Sequence, residues 1–210
     1  MKNVFLLLAF ILSSNVWAAD VLYRITFKGN FSGKTHRTFN FPMNPHFSPL
    51  VAIGHDANAS FFPLGATASE GVKTVAETGN PKKLLGEIQT LMTAGFIKDF
   101  EVGDGPFGGT SSVEVVVTVD HASPLVSLIT MIAPSPDWIV GLNGYSLLEN
   151  GKFIKKRVVE LFALDAGTDA GGYFLSDDKP LRLKQPIRLL TNVSGKPVKR
   201  PFATVTIEKL

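Results

Sequence analysis

Val113, Val115, Val117 and Val119 alternate with Glu114, Val116 and Thr118. A period of two sends successive side chains to opposite faces of a strand, so this run reads as a β-strand with one buried face. Val21, Tyr23, Ile25 and Phe27 repeat the pattern against Arg24, Thr26 and Lys28. Leu125 to Ile132 is a near-continuous apolar strand. Further strands are expected at 138–148, 157–163, 186–191 and 202–209. Residues 36–64, rich in Phe, Pro and Asn, read as loop with short strands. The 19 glycines and 13 prolines supply turns between short elements.

One segment breaks the β pattern. Val72, Val75 and Ala76 have helical spacing, and Gly79 is a C-terminal stop. Asn80-Pro81 then restarts a helix, with Asn as cap and Pro in the first turn. Leu84, Leu85, Ile88, Leu91 and Met92 form one apolar face, expected to pack on the sheets. Antiparallel strands with short turns and one helical insertion imply a mainly β chain folded as a β-sandwich.

Lys2, the apolar run Val4 to Leu12 and the small residues around Val16-Trp17-Ala18 have the form of a secretory leader. Residues 1–18 are therefore expected to be removed, leaving 19–210 as one exported domain, periplasmic or secreted. The run is too short to span a bilayer. There are no cysteines, which excludes a thiol nucleophile, Cys-bound zinc and disulfide chemistry. The net charge of +3 is a small excess. Its two basic clusters, Lys152, Lys155, Lys156, Arg157 and Lys196, Lys199, Arg200, read as solvated turns, and no nucleic-acid partner is expected. Gly103 to Gly109 lacks the Gly-Lys-Ser/Thr ending of a phosphate loop.

Two loops concentrate carboxylates: Pro134-Ser135-Pro136-Asp137-Trp138 and Asp165-Ala166-Gly167-Thr168-Asp169-Ala170-Gly171. Carboxylates and turning backbone at the end of a sandwich can supply the oxygens that a hard cation such as Ca²⁺ takes. The same residues also serve as turn caps that accept from their own backbone. His55-Asp56 and Asp120-His121 are adjacent pairs whose side chains point to opposite faces, so neither is a ready dyad. His46 reads as a hydrogen-bonded structural residue. Ser135 is not in a Gly-x-Ser-x-Gly elbow. An enzyme is not expected, and a hydrolase is the weakest of the readings.

The stretch Leu125-Val126-Ser127 through Pro134-Ser135-Pro136-Asp137-Trp138-Ile139-Val140-Gly141 resembles the signature of the spondin N-terminal domain family. So do Asp165-Ala166-Gly167-Thr168-Asp169-Ala170-Gly171, His46-Phe47-Ser48-Pro49-Leu50, and Ala68-Ser69-Glu70-Gly71-Val72 with Ala76-Glu77-Thr78-Gly79. The similarity runs in order from about residue 21 to the C-terminus. It implies an eight-stranded antiparallel β-sandwich similar to calcium-dependent phospholipid-binding domains. It implies a bound divalent cation, calcium, at one end, with Asp137 and Asp165 matching acidic ligands and Asp169 close enough to join. A third acidic position of the family falls near Thr118, where Asp120, two residues on, is the substitute. Animal members are extracellular matrix proteins of adhesion and ligand recognition; their cysteines are absent here. The expected partner is a protein or glycan ligand at the cell surface or in the periplasm. The alternative is a membrane surface, with Phe107 and Trp138 as candidate insertion residues and core packing as the competing role of Trp138.

Overall fold

The computed structural model describes residues 19–36, 41–191, 195 and 198–210. The leader expected at 1–18 lies outside them. So do Lys196 and the sequon residues Asn192 to Ser194. Among the described residues no helix is long and apolar enough to cross a membrane.

Among the described residues, fourteen strands and two helices follow in order. They begin with β1 (Val21–Gly29), β2 (His46–Phe47) and β3 (Val51–His55), then α1 (Glu70–Thr78) and α2 (Lys82–Thr93). Next come β4 (Ile97–Val102), β5 (Phe107–Gly108), β6 (Ser112–Val119), β7 (Leu125–Ala133) and β8 (Trp138–Ser146). The chain closes with β9 (Leu148–Glu149), β10 (Lys152–Phe153), β11 (Lys156–Leu161), β12 (Ala163–Asp165), β13 (Arg188–Leu189) and β14 (Ala203–Lys209). Eight of these strands have five residues or more, four in each of two layers. One layer has the order β11-β14-β1-β6, and the other contains β4-β3-β7-β8. Neighbours in both are antiparallel. The eight-stranded sandwich is thus present, with β2, β5, β12 and β13 as short additions to the second sheet.

The alternating sequences explain the first sheet. Tyr23, Ile25 and Phe27 of β1 and the four alternate valines of β6 are buried between the layers. Each such side chain contributes about 1.5–3 kcal/mol relative to exposure. The second sheet is covered on both faces. Val51, Ile53, Ile129 and Ile139 pack outward against Val72, Val75, Ala76, Leu84 and Ile88 of the helices. That is why β3 is buried throughout and β7 reads as a near-continuous apolar run. Leu84 and Ile88 are fully buried, whereas Leu91 only packs at the margin.

Local chemistry sets the helix ends. Ser69 accepts from the Val72 amide at 3.0 Å. Gly79 closes α1 in the left-handed region at φ 69°. Asn80 Oδ1 accepts from the Lys82 amide at 2.9 Å. The helices are tied by Glu87, which accepts from the Gly71 amide and the Ser69 hydroxyl, both at 2.7 Å.

β4 was not expected from the sequence. Its Asp99 and Glu101 reach across to the free edge of β6. Asp99 Oδ2 accepts from the Thr118 amide at 2.7 Å, and Glu101 accepts from the Val116 amide. Two carboxylates at a two-residue spacing thereby satisfy outward N–H groups that would otherwise form an open sheet edge.

Candidate functional site: an acidic loop cage

Asp137 ends the turn between β7 and β8 and is fully buried. Its Oδ2 accepts from the amide of Thr168 at 2.7 Å, from the Thr168 hydroxyl at 3.3 Å and from the amide of Asp169 at 3.1 Å. Its backbone carbonyl accepts from the Ala166 amide at 3.1 Å. One turn is therefore laced to the loop that follows β12. The other carboxylate oxygen, Oδ1, is buried and has no hydrogen-bond partner. Burial pushes the Asp137 carboxyl up to about 6; the Thr168 and Asp169 amides oppose this, and the nearby charges of Asp165 and Asp169 add to it.

The two other loop carboxylates are engaged. Asp165 Oδ1 accepts from the Gly167 amide at 2.8 Å, and its Oδ2 receives the Arg188 guanidinium at 2.9 Å. Gly167 sits at φ 70°, and a Cβ there would stand 2.2 Å from the Gln185 carbonyl oxygen. Asp169 Oδ1 accepts from the Gly171 amide and Oδ2 from the Lys179 amide, both at 2.6 Å. With the Ala170 amide donating to the Lys179 carbonyl, Asp169 closes the neck of the loop 170–179. Phe174 pins that loop from inside, 4.9 Å from Trp138 and 5.2 Å from Phe31 between ring centres. Beside the cage is an open depression of about 450 Å³ bordered by Trp138, Asp165, Asp169, Tyr173, Gln185 and Arg188.

The structure brings Asp137, Asp165 and Asp169 into one place and leaves Asp120 out. Asp120 precedes β7 and Asp137 follows it, and β7 is nine residues long, about 26 Å at 3.3 Å per residue. Asp120 instead caps the amides of Ala122 and Ser123 at 2.9 and 2.7 Å. Its Oδ2 is 2.7 Å from Lys98 Nζ. Thr118 is bound to Asp99, so no acidic group of β6 reaches the cage. Among the described residues no three His, Cys, Asp or Glu side chains converge as a ready metal-holding group. The fit to a hard cation rests on one atom, the orphaned Asp137 Oδ1, with the Asp165 carboxylate beside it shared with Arg188.

Of the two candidate insertion residues, Trp138 belongs to the core and Phe107 is half-buried against it. Trp138 is buried, and Phe107 packs against Phe27 and Phe47 at 5.6 and 5.5 Å. Tyr173, Leu175 and Leu183 are the exposed apolar side chains of the loop beyond the cage.

A Ser–His pair does occur, where sequence spacing offers no sign of it. His55 Nε2 lies 2.8 Å from Ser127 Oγ, and His55 Nδ1 lies 2.6 Å from the Asp56 carbonyl. Both residues are fully buried, and Ser127 Oγ also accepts from the Gly144 amide at 2.8 Å. No substrate reaches this serine; the pair joins β3 to β7 and β8. Of the two sequence neighbours, Asp56 caps Asn58 and His121 meets Phe153 edge-on at 4.8 Å between ring centres. His46 is hydrogen-bonded to the Asn44 carbonyl at 2.8 Å, a structural setting.

These features define a disulfide-free antiparallel sandwich with two helices on one face and an acidic loop cage at one end. The chain belongs to the spondin N-terminal domain family: the family model Spondin_N matches residues 21–210. It is 37% identical over 177 residues to Spondin-1 of Gallus gallus, covering 81% of this chain and 22% of that protein. Spondin-1 of Homo sapiens is 36% identical over the same length and shares. Spondin-2 of Rattus norvegicus is 33% identical over 163 residues, 73% of this chain and 48% of that protein. The chain spans less than half the length of these curated relatives.

Proposed function

We propose that this chain is an exported recognition and adhesion module of the spondin type, and that a divalent cation, calcium first, binds at the Asp137 cage. The depression beside the cage would then take a protein or glycan ligand. One observation carries the reading: Asp137 holds a fully buried carboxylate oxygen with no partner. A buried, unpaired acceptor is costly unless something satisfies it. A bound cation supplies positive charge that offsets the repulsion among the three carboxylates. Asp137 and Asp165 are the residues that would hold it, Asp165 exchanging the Arg188 guanidinium for the ion. Asp169 keeps the loop neck closed and shapes the depression. Titration calorimetry with calcium, run on the wild type and on Asp137→Asn, tests this. Heat of binding in the wild type that the variant loses supports it; no heat in either up to millimolar calcium overturns it.

A second reading is cation-dependent contact with an anionic membrane. Exposed Leu175 and Leu183, on the same loop as the exposed Lys179 and Arg182, favour it. Sedimentation with phosphatidylserine vesicles in calcium and in chelator separates it from recognition of a soluble ligand.

A further inference from the structure

The first sheet treats its two edges differently. The β6 edge is sealed by the carboxylates of Asp99 and Glu101. The β11 edge pairs with β14 on one side and, among the described residues, with no strand on the other. Its phase follows from the Lys209 amide, which donates to the Lys155 carbonyl at 2.9 Å. In an antiparallel ladder the bonded pairs alternate. The backbone groups of Arg157 and Val159 therefore turn toward β14, and those of Lys156, Val158 and Glu160 turn outward. Val158 is 58% exposed, the one large apolar side chain on the outer face of this strand.

We propose that β11 is the contact edge of a homodimer, in which a second copy adds its own β11 antiparallel about a twofold axis through Val158. The sequence Lys156-Arg157-Val158-Val159-Glu160 is self-complementary in that register. Val158 faces Val158 of the second copy, and Lys156 faces Glu160 of the second copy twice. Arg157 faces Val159. All outward backbone groups from 156 to 160 find partners. Opposite charges directly across a strand pair stabilise it, and like charges destabilise it. Sliding the second strand two residues one way sets Arg157 against Arg157. Sliding it two the other way sets Val158 against Glu160 and loses both charge pairs. One register is thus favoured by charge, and a closed isologous contact results.

A second feature lies beside the same edge. An open depression of about 410 Å³, mostly apolar, adjoins Glu160 and Leu161 and is lined by Phe62, Leu64, Leu142 and Leu189. Leu64 and Leu189 are exposed. A second copy docked on β11 would cover this apolar surface as well as the strand edge. Lys156, which meets Glu208 of its own chain at 3.3 Å, gains Glu160 of the second copy as a further carboxylate. This proposal does not rest on the cation site.

The test is sedimentation of the full mature chain between about 1 and about 100 µM, since a dimer's population follows concentration. The wild type should move from monomer toward dimer. Glu160→Lys should hold it monomeric by placing lysines across the edge. Lys156→Glu combined with Glu160→Lys should restore the dimer, because the swapped charges match again. Melting curves establish that each variant is folded, and Val158→Pro, which removes an outward N–H, is an independent probe expected to weaken the dimer. A wild type that stays monomeric throughout overturns the proposal and leaves the edge to a strand of a different protein. So does a dimer that Glu160→Lys leaves unchanged, or one the double swap fails to restore.

Discussion

Asp137 Oδ2 accepts the Thr168 amide at 2.7 Å across two loops, while its Oδ1, equally buried, has no partner. Half of this carboxylate is spent on architecture and half is left over. The used half explains why the loops meet; the free half motivates the cation reading.

The raised carboxyl of Asp137 sets a pH dependence for metal-free protein. Its ordinary value is 3.8 and its folded value about 6. The folded state therefore binds the proton more tightly than the unfolded state. The cost of ionising it is absent below pH 4, grows between pH 4 and 6, and is full above 6. Two pKa units correspond to about 3 kcal/mol. In chelator, Asp137→Asn should be more stable than the wild type at pH 8 by an amount of that order, and this advantage should shrink toward pH 4. Urea unfolding of both proteins at several pH values checks it. An advantage that does not change with pH contradicts it.

His55 has the opposite sign. Burial holds its imidazole below the ordinary 6.5, against the opposing hydrogen bond to the Asp56 carbonyl. The unfolded state binds the proton first, so stability should fall as pH drops below about 6.5. His55→Gln should flatten this part of the profile, even though losing the ring costs stability at pH 8. A variant whose acid loss below pH 6.5 equals that of the wild type would argue that His55 titrates normally.

The edge seal on β6 is testable by deletion. Asp99→Ala removes the acceptor for the Thr118 amide and should cost about 1.5–3 kcal/mol, the range for hydrogen bonds to charged groups. Asp99→Asn keeps an oxygen and should cost less. Equal, negligible losses in urea would mean that water replaces the carboxylate without penalty.

The helical layer separates its residues by burial. Leu84→Ala and Ile88→Ala should each cost about 2–5 kcal/mol, as fully buried aliphatic truncations do. Leu91→Ala, at the margin, should cost clearly less. Equal losses at Leu84 and Leu91 would contradict the packing described.

How far the sequence carried the account follows from what each strand does with its faces. β1 and β6 have one buried face, so their alternation was legible, and so were the helical spacing and the Gly- and Asn-marked ends; the Ser69 cap was not read. β4 was not, because Asp99 and Glu101 look like solvent-facing charge until β6 is beside them. β7 and β3 lost their alternation to a second apolar layer. The cage residues Asp137, Asp165 and Asp169 were legible as a group, but Arg188 was not, since it arrives through β13 pairing with β12. Asp120 failed because proximity in sequence to Thr118 says nothing about which end of β7 it occupies. His55 and Ser127 meet only through β3 pairing with β7, a contact with no local signal.

A cation completing the Asp137 cage would raise the stability of the native state. The most direct measurement is the melting temperature of wild type and Asp137→Asn in calcium and in chelator. A ligand that binds only the native state stabilises it by about 2.7 kcal/mol at a hundredfold excess over its dissociation constant. The expected result is a calcium-dependent rise in the wild type, reversed by chelator, that Asp137→Asn loses. Identical melting curves with calcium, magnesium, manganese and chelator would contradict it, leaving the three aspartates as turn caps alone.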